Sequence, residues 1–155
     1  MRIVSWNIRA GGGKRVEAIA SQLAAWKPDV VALSEYRATP ASLWLADTLK
    51  HQGLIHQQST ANPRAPSVNS LLIAARWQLR RIRPRPSLKE PRRWAMFSIS
   101  APMPFALGAM HVPLNITGRK NAFLDALLAM AQGWQRGPAL IVGDTNTGRI
   151  GIDEE

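Results

Sequence analysis

The sequence predicts an α/β layered domain, with sheets in the core and helices covering them. Two observations carry this. Hydrophobic periodicity switches repeatedly between two residues and about 3.6, and the resulting order is strand, helix, strand, helix, several strands, helix, strand. At 155 residues, with 46% hydrophobic and 19% charged residues, the chain is long enough for one proper core and ordinary in balance. No internal repeat or composition break divides it, so residues 1–155 are expected to form one domain.

Residues 2–8 alternate, with Val4, Trp6 and Ile8 on one face and Ile3, Ser5 and Asn7 on the other, which is strand periodicity. Gly11-Gly12-Gly13 ends that strand in what reads as a flexible turn. From Lys14 the spacing becomes helical, placing Val16, Ile19, Ala20, Leu23 and Trp26 on one stripe, and Lys27-Pro28 closes the helix. Residues 29–33 form a short apolar strand with Ser34-Glu35 at its end. Pro40 suits the first turn of a second helix running to about Lys50. Residues 52–58 read as a weak strand and 62–66 as a loop. Strands follow over 68–75 and 77–82, meeting near Arg76, and over 93–100 and 105–110, separated by Pro102-Met103-Pro104. A long helix is expected over 115–136, with Phe123, Leu127, Met130, Ala131 and Trp134 as its stripe and Gly137-Pro138 as its stop. Residues 139–142 complete the set as a buried strand.

The charge balance is unusual. Twenty Lys+Arg stand against 10 Asp+Glu, giving +10, and Arg76, Arg80, Arg81, Arg83, Arg85, Lys89, Arg92 and Arg93 crowd one stretch. Such a field attracts polyphosphate partners, nucleic acid among them; a solubilising surface is the plainer reading. The absence of cysteine excludes disulfides, zinc–thiolate centres and thiol nucleophiles. Without a signal-like apolar start or a membrane-length apolar run, the chain reads as soluble and cytoplasmic.

Four apolar strands each end in a residue suited to metal or phosphate chemistry: Asn7, Glu35, His111, and Asp144 with Asn146. Ligands of layered sheet proteins gather outside strand ends. Mg²⁺ takes oxygen ligands and usually only one or two carboxylates, which Glu35 and Asp144 would supply. Asn7 and Asn146 would bind the metal shell, a phosphate oxygen or the attacking water, and His111 can move a proton near neutral pH. Each residue alone has a blander reading. Asn7 and Asp144 could be turn formers, Glu35 could pair with Arg37, and His111 could be a hydrogen-bonded core histidine. Two of only ten acidic residues lie directly after apolar strands, which weakens those readings jointly. Gly11-Gly12-Gly13-Lys14-Arg15 is not a phosphate loop, because Arg15 and Ile8 stand where Ser or Thr and an earlier Gly are required. His51 and His56 lack the spacing of a shared helix face and read as surface residues.

Four segments, Ser5-Trp6-Asn7-Ile8-Arg9, Pro28-Asp29-Val30-Val31-Ala32-Leu33-Ser34-Glu35-Tyr36-Arg37, Met110-His111-Val112-Pro113 and Ile141-Val142-Gly143-Asp144-Thr145-Asn146, resemble in order and spacing the endonuclease/exonuclease/phosphatase superfamily of deoxyribonuclease I and exonuclease III. The resemblance implies a four-layered α/β/β/α sandwich and a Mg²⁺-dependent hydrolase of phosphate esters, with Mn²⁺ as a substitute ion. It implies Glu35 as the main metal ligand with Asn7 beside it. Asp144 and Asn146 would handle water and phosphate, His111 would act as in the deoxyribonuclease-like and sphingomyelinase-like branches, and Arg37 would bind phosphate.

Ser34 replaces the Gln common before the Glu. Members of the family continue to a terminal Asp-His pair, which this chain lacks, so the last strands of the second sheet are expected to be missing and the chain to be C-terminally truncated. Its full-length form is expected to be an endonuclease-like phosphodiesterase. The alternatives are a non-catalytic, basic nucleic-acid-binding remnant of the fold and a lipid-directed, sphingomyelinase-like phosphodiesterase.

Overall fold

In a computed structural model of the chain, residues 1–85, 88 and 90–147 are described. Lys89 of the basic run and the terminal Asp153-Glu154-Glu155 lie outside them. One sheet joins β1 (Ile3–Asn7), β2 (Val30–Tyr36), β3 (His56–Ser59) and β4 (Ser70–Ala75) in the order β1-β2-β4-β3. A second joins β5 (Leu79–Ile82), β6 (Trp94–Ile99), β7 (Phe105–His111) and β8 (Ala139–Asp144) in that order. The helices are α1 (Val16–Trp26), α2 (Pro40–His51) and α3 (Lys120–Gln132). Among the described residues no helix is long and apolar enough to cross a membrane.

Three apolar layers make this a four-layered α/β/β/α sandwich. Val31 and Leu33 of β2, with Leu72 and Ala74 of β4, pack with Ile19 and Leu23 of α1 and with Leu45 and Leu49 of α2. Their alternate neighbours Val30, Ala32, Leu71 and Ile73 face the second sheet and meet Phe97 and Leu107. The outer face of that sheet, Trp94, Met96 and Met110, is closed by Phe123 and Met130 of α3. Strands buried on both faces read as continuous apolar runs, as β2 and β4 do. Each fully buried Leu, Ile or Phe contributes about 1.5–3 kcal/mol. Trp26 remains 38% exposed but leans on Trp6, with ring centroids 5.2 Å apart.

Several elements differ from the sequence expectation. The strands over 68–75 and 77–82 do meet at Arg76, but they belong to opposite sheets. The crossing is pinned because the Arg76 backbone N–H donates to the Asp29 carbonyl at 3.0 Å and Nε lies 3.3 Å from Asp29 Oδ1. The helix expected over 115–136 is split. A 3₁₀ turn (Asn115–Thr117) ends at Gly118, which takes a left-handed φ of 66°, and α3 starts beyond it. The helix also stops early, at Gln132, with Gly133 as its cap, so Gly137-Pro138 lies past its end. The weak strand expected over 52–58 pairs only over His56–Ser59. The last strand, expected to be buried, is an edge strand paired with β7, and its Leu140 is 40% exposed.

What positions the chemistry is that each sheet contains one parallel pair. β1 runs parallel to β2, and β7 parallel to β8. In each pair the C-terminal ends lie side by side, with Asn7 opposite Ser34 and His111 opposite Asp144.

Candidate active site

Alternation along the strands decides which polar residues meet. Val4, Trp6 and Ile8 face the helical layer, so Asn7 faces the second sheet. Leu107 and Ala109 face the first sheet, and His111 continues that face by the same alternation. Val142 shares that face, and so therefore does Asp144. Glu35 breaks the pattern. By alternation it would follow Val31 and Leu33 into the apolar helical layer, but the register shifts between Ser34 and Tyr36 and Glu35 adopts a left-handed φ of 56°. This one-residue bulge lets Tyr36 take the buried place with Val31 and Leu33, and it turns the carboxylate toward the strand ends. A left-handed non-glycine residue costs roughly 1–2 kcal/mol, a strain that gathers at functional positions.

Four side chains from four strands converge. Asn7 Nδ2 donates to Glu35 Oε1 at 3.1 Å and to Asp144 Oδ2 at 2.6 Å, bridging carboxylates of opposite sheets. Glu35 Oε2 accepts the Ala10 backbone N–H at 2.8 Å, and Asn7 Oδ1 accepts that of Arg9 at 2.8 Å. Asp144 Oδ1 accepts the Asn146 N–H at 2.8 Å. The imidazole Nε2 of His111 lies 3.9 Å from both Glu35 Oε1 and Asp144 Oδ2, beyond hydrogen-bond range.

The glycine turn is part of this arrangement rather than a flexible link. The Gly11 N–H donates to the Glu35 carbonyl at 2.8 Å, while the Gly11 carbonyl accepts from buried Ser42 Oγ at 2.9 Å. With φ at 76°, a Cβ at Gly11 would stand 2.6 Å from that hydroxyl. The turn thereby carries the Ala10 N–H over Glu35.

Electrostatics set the protonation states. Burial pushes the Glu35 carboxyl up, but the Ala10 N–H, the Asn7 amide and the charges of His111 and Arg37 together outweigh it and hold it below 4.5. Burial, aided by the Arg93 guanidinium, holds His111 below 6.5 against the opposite pull of Asp144 and Glu35. The imidazole is therefore neutral at pH 7, and its 3.9 Å contacts are not ion pairs. Arg93 Nη1, which can only donate, lies 3.3 Å from Nδ1, so Nδ1 accepts and Nε2 carries the proton. That N–H faces the carboxylates.

Both shifts act on stability with the same sign. A folded pKa held down means that the unfolded chain binds protons more readily. His111 thus contributes stability that is full above 6.5 and is lost as pH falls through its lowered folded value; Glu35 does the same below 4.5. The melting temperature should fall when the pH drops from about 7.5 to about 5.5, and this part of the fall should be absent in His111→Asn. A flat wild-type profile over that window would contradict a neutral, buried imidazole.

Two expected residues stand beside the cluster. Arg37 Nε donates to Asn69 Oδ1 at 2.6 Å and influences Glu35 only through its charge. Asn146 has a left-handed φ of 45°, turns its Nδ2 back to the Val112 carbonyl, and accepts Lys120 Nζ on its own carbonyl. Arg93 and Lys120 escape sequence reasoning because their contacts are made through tertiary folding. The exposed side of the cluster opens into a cleft of about 540 Å³ lined by Ser5, Trp6, Asn7, Arg9, Arg15 and Asp144 among others. Arg15 is anchored there, Nη2 donating to the carbonyls of Ile8 and Arg9 at 2.9 and 3.0 Å.

The sequence profile of the Endonuclease/Exonuclease/phosphatase family matches residues 4–151. No curated protein sequence matches the chain. Among solved structures, an endonuclease/exonuclease/phosphatase from Beutenbergia cavernae superposes with a TM-score of 0.70 at 20% identity, over 94% of this chain and 47% of that one. An AP endonuclease from Archaeoglobus fulgidus gives 0.70 at 19%, over 94% and 58%. A humanized D. rerio TDP2 carrying 14 mutations gives 0.67 at 18%, over 96% and 67%. At such identities the likeness is one of fold, and the chain spans about half to two thirds of the length of these proteins.

Proposed function

Because the chain belongs to the endonuclease/exonuclease/phosphatase family, we propose that the meeting point of Asn7, Glu35, His111 and Asp144 is the reacting centre of a Mg²⁺-dependent, endonuclease-like phosphodiesterase. The observation that carries this is the Asn7 amide bridging two carboxylates from opposite sheets. Among the described residues neither carboxylate has an Arg or Lys ion pair, although the chain carries +10 overall. Two carboxylates sharing one neutral amide leave negative charge that a divalent cation would balance.

The donor set fits a hard cation of low protein coordination. No group of three or more His, Cys, Asp and Glu suited to a metal occurs among the described residues, which argues against a dedicated protein cage. Mg²⁺ typically takes one or two carboxylates and leaves its other positions to water and substrate phosphate, and here Glu35 would hold it with Asn7 beside it. Mn²⁺ would serve in the same ligands. When bound, the ion polarises a phosphoryl oxygen and offsets charge on the leaving group.

The chain's own residues take the other roles. Asp144, steadied by Asn7 and by the Asn146 N–H, accepts a proton from the attacking water and aligns it. Asn146 has its Nδ2 committed to Val112, so its Oδ1 serves as a second acceptor for that water. Neutral His111 presents Nε2–H as a donor to a phosphoryl oxygen, a favourable arrangement because the donor is fixed before charge develops. Arg37, held by Asn69, supplies positive potential that is felt at Glu35, and phosphate binding is the role proposed for it.

Turnover of plasmid DNA and of sphingomyelin vesicles, each with Mg²⁺ and with EDTA, tests this reading. Metal-dependent cleavage of DNA is expected. Hydrolysis of the lipid alone would replace the nuclease reading, and DNA binding with no turnover in any divalent metal would leave a binding domain.

A further inference from the structure

Beside the reacting centre lies a second polar cleft of about 450 Å³, lined by Asn69, Glu90, Arg92, Arg93 and Arg119 together with Val68 and Pro91. Its walls come from three separated places: the approach to β4, the approach to β6 and the approach to α3. Three guanidinium groups face one carboxylate. Glu90 is taken by Arg119, Nη1 to Oε1 at 3.0 Å. Arg92 is exposed, and it reaches the protein through its backbone carbonyl, which accepts from Thr60 Oγ1 at 2.9 Å. Arg93 links this cleft to the centre, since its Nη1 is the group 3.3 Å from His111 Nδ1. The cleft therefore lies on the Nδ1 side of His111, one imidazole ring away from the carboxylates that Nε2 faces.

The structure also sorts the basic run. Arg76 is held by Asp29, and Arg80 and Arg81 lie on β5 at the far edge of the second sheet from β8. Among the described residues of the run, Arg92 and Arg93 line this cleft, joined by Arg119 from outside the run.

We propose that this arginine cleft is a phosphate subsite for a polynucleotide, binding a backbone phosphate adjacent to the one that reacts. Guanidinium groups recognise phosphate oxygens in fork geometry and hold a strand in register without reading its sequence. The proposal rests on the endonuclease-like phosphodiesterase reading above and deepens it, placing a second phosphate of the same strand in this cleft. A small phosphate ester would fill the centre and leave the cleft empty.

Binding in EDTA reads the cleft whether or not turnover occurs. Fluorescence anisotropy of a labelled DNA duplex, titrated across salt concentrations, gives affinity and salt slope together. R92A/R119A should bind about tenfold more weakly at fixed salt, with a log–log slope shallower by about 2. R92A alone leaves the Thr60 bond in place and should flatten the slope by about 1, so the proposal stays testable if the pair fails to fold. Unchanged affinity and slope in a folded R92A/R119A, or in R92A, would overturn it. Tighter binding to phosphatidylserine vesicles than to the duplex, lost in the same variants, would overturn it in favour of a membrane surface. Loss of duplex binding in these variants, in a wild type that proves unable to cleave DNA, would uphold the cleft and remove only the catalytic reading.

Discussion

Glu35→Gln should lower Mg²⁺-dependent turnover by on the order of 10³-fold, about 4 kcal/mol of transition-state stabilisation. The fold should barely notice. A glutamine keeps an oxygen for the Ala10 N–H, and its loss is confined to the other side, where an amide would face the Asn7 amide donor to donor. One weakened hydrogen bond costs about 1 kcal/mol, far less than the catalytic loss. Steady-state kinetics on bis(p-nitrophenyl) phosphate, paired with thermal melts and calorimetric titration of Mg²⁺, separates the two effects. Turnover within tenfold of wild type, with metal affinity unchanged, would remove Glu35 from the centre of the proposed chemistry.

Gly143→Ala should be the most damaging methyl addition among the described glycines. Gly143 stands opposite Met110 in the β7–β8 register at a φ of 146°. A Cβ there would lie 1.9 Å from the Met110 carbonyl oxygen and 2.7 Å from its carbon. Both are backbone atoms of a central strand, so no side chain can swing aside. Either β8 detaches at its C-terminal end or the strand pair spreads, and each outcome draws Asp144 away from Asn7. We expect a loss of at least about 2 kcal/mol in unfolding free energy, with turnover falling in the same variant. Urea denaturation beside the kinetic assay checks it. An alanine variant of wild-type stability would mean that the backbone at this position relaxes without cost.

Much of this was legible in the chain itself. Period-two alternation places Asn7 opposite the Val4–Trp6–Ile8 face, and the apolar runs ending at His111 and Asp144 announce strand ends with chemistry attached. What periodicity could not give is how those ends come together. The bulge at Glu35 is invisible because Val-Val-Ala-Leu-Ser-Glu-Tyr reads equally well as unbroken alternation; only the buried place taken by Tyr36 reveals the slipped phase. The separation of the two strands meeting at Arg76 was hidden for a similar reason, since a short link serves a hairpin or a change of sheet alike. Gly11 looked like slack because sequence shows its permissiveness but not the Ser42 hydroxyl pressed against it. Arg93 was counted as one charge in a basic run, whereas the folded chain uses it to fix a tautomer. The helix over 115–136 failed at Gly118, where the apolar stripe that starts at Phe123 masked a residue able to turn left-handed.

The bridge made by Asn7 has a mechanical side. Its amide belongs to one sheet, the Asp144 oxygen to the other, and the contact ceases to be a hydrogen bond once the sheets part by less than about 1 Å. The alignment of the two sheets is set elsewhere, by Ile73, Phe97 and Leu107 in the shared apolar layer. The centre therefore works as a gauge of how the two slabs are seated, so a slip too small to register as unfolding is already large enough to part the atoms that must act together.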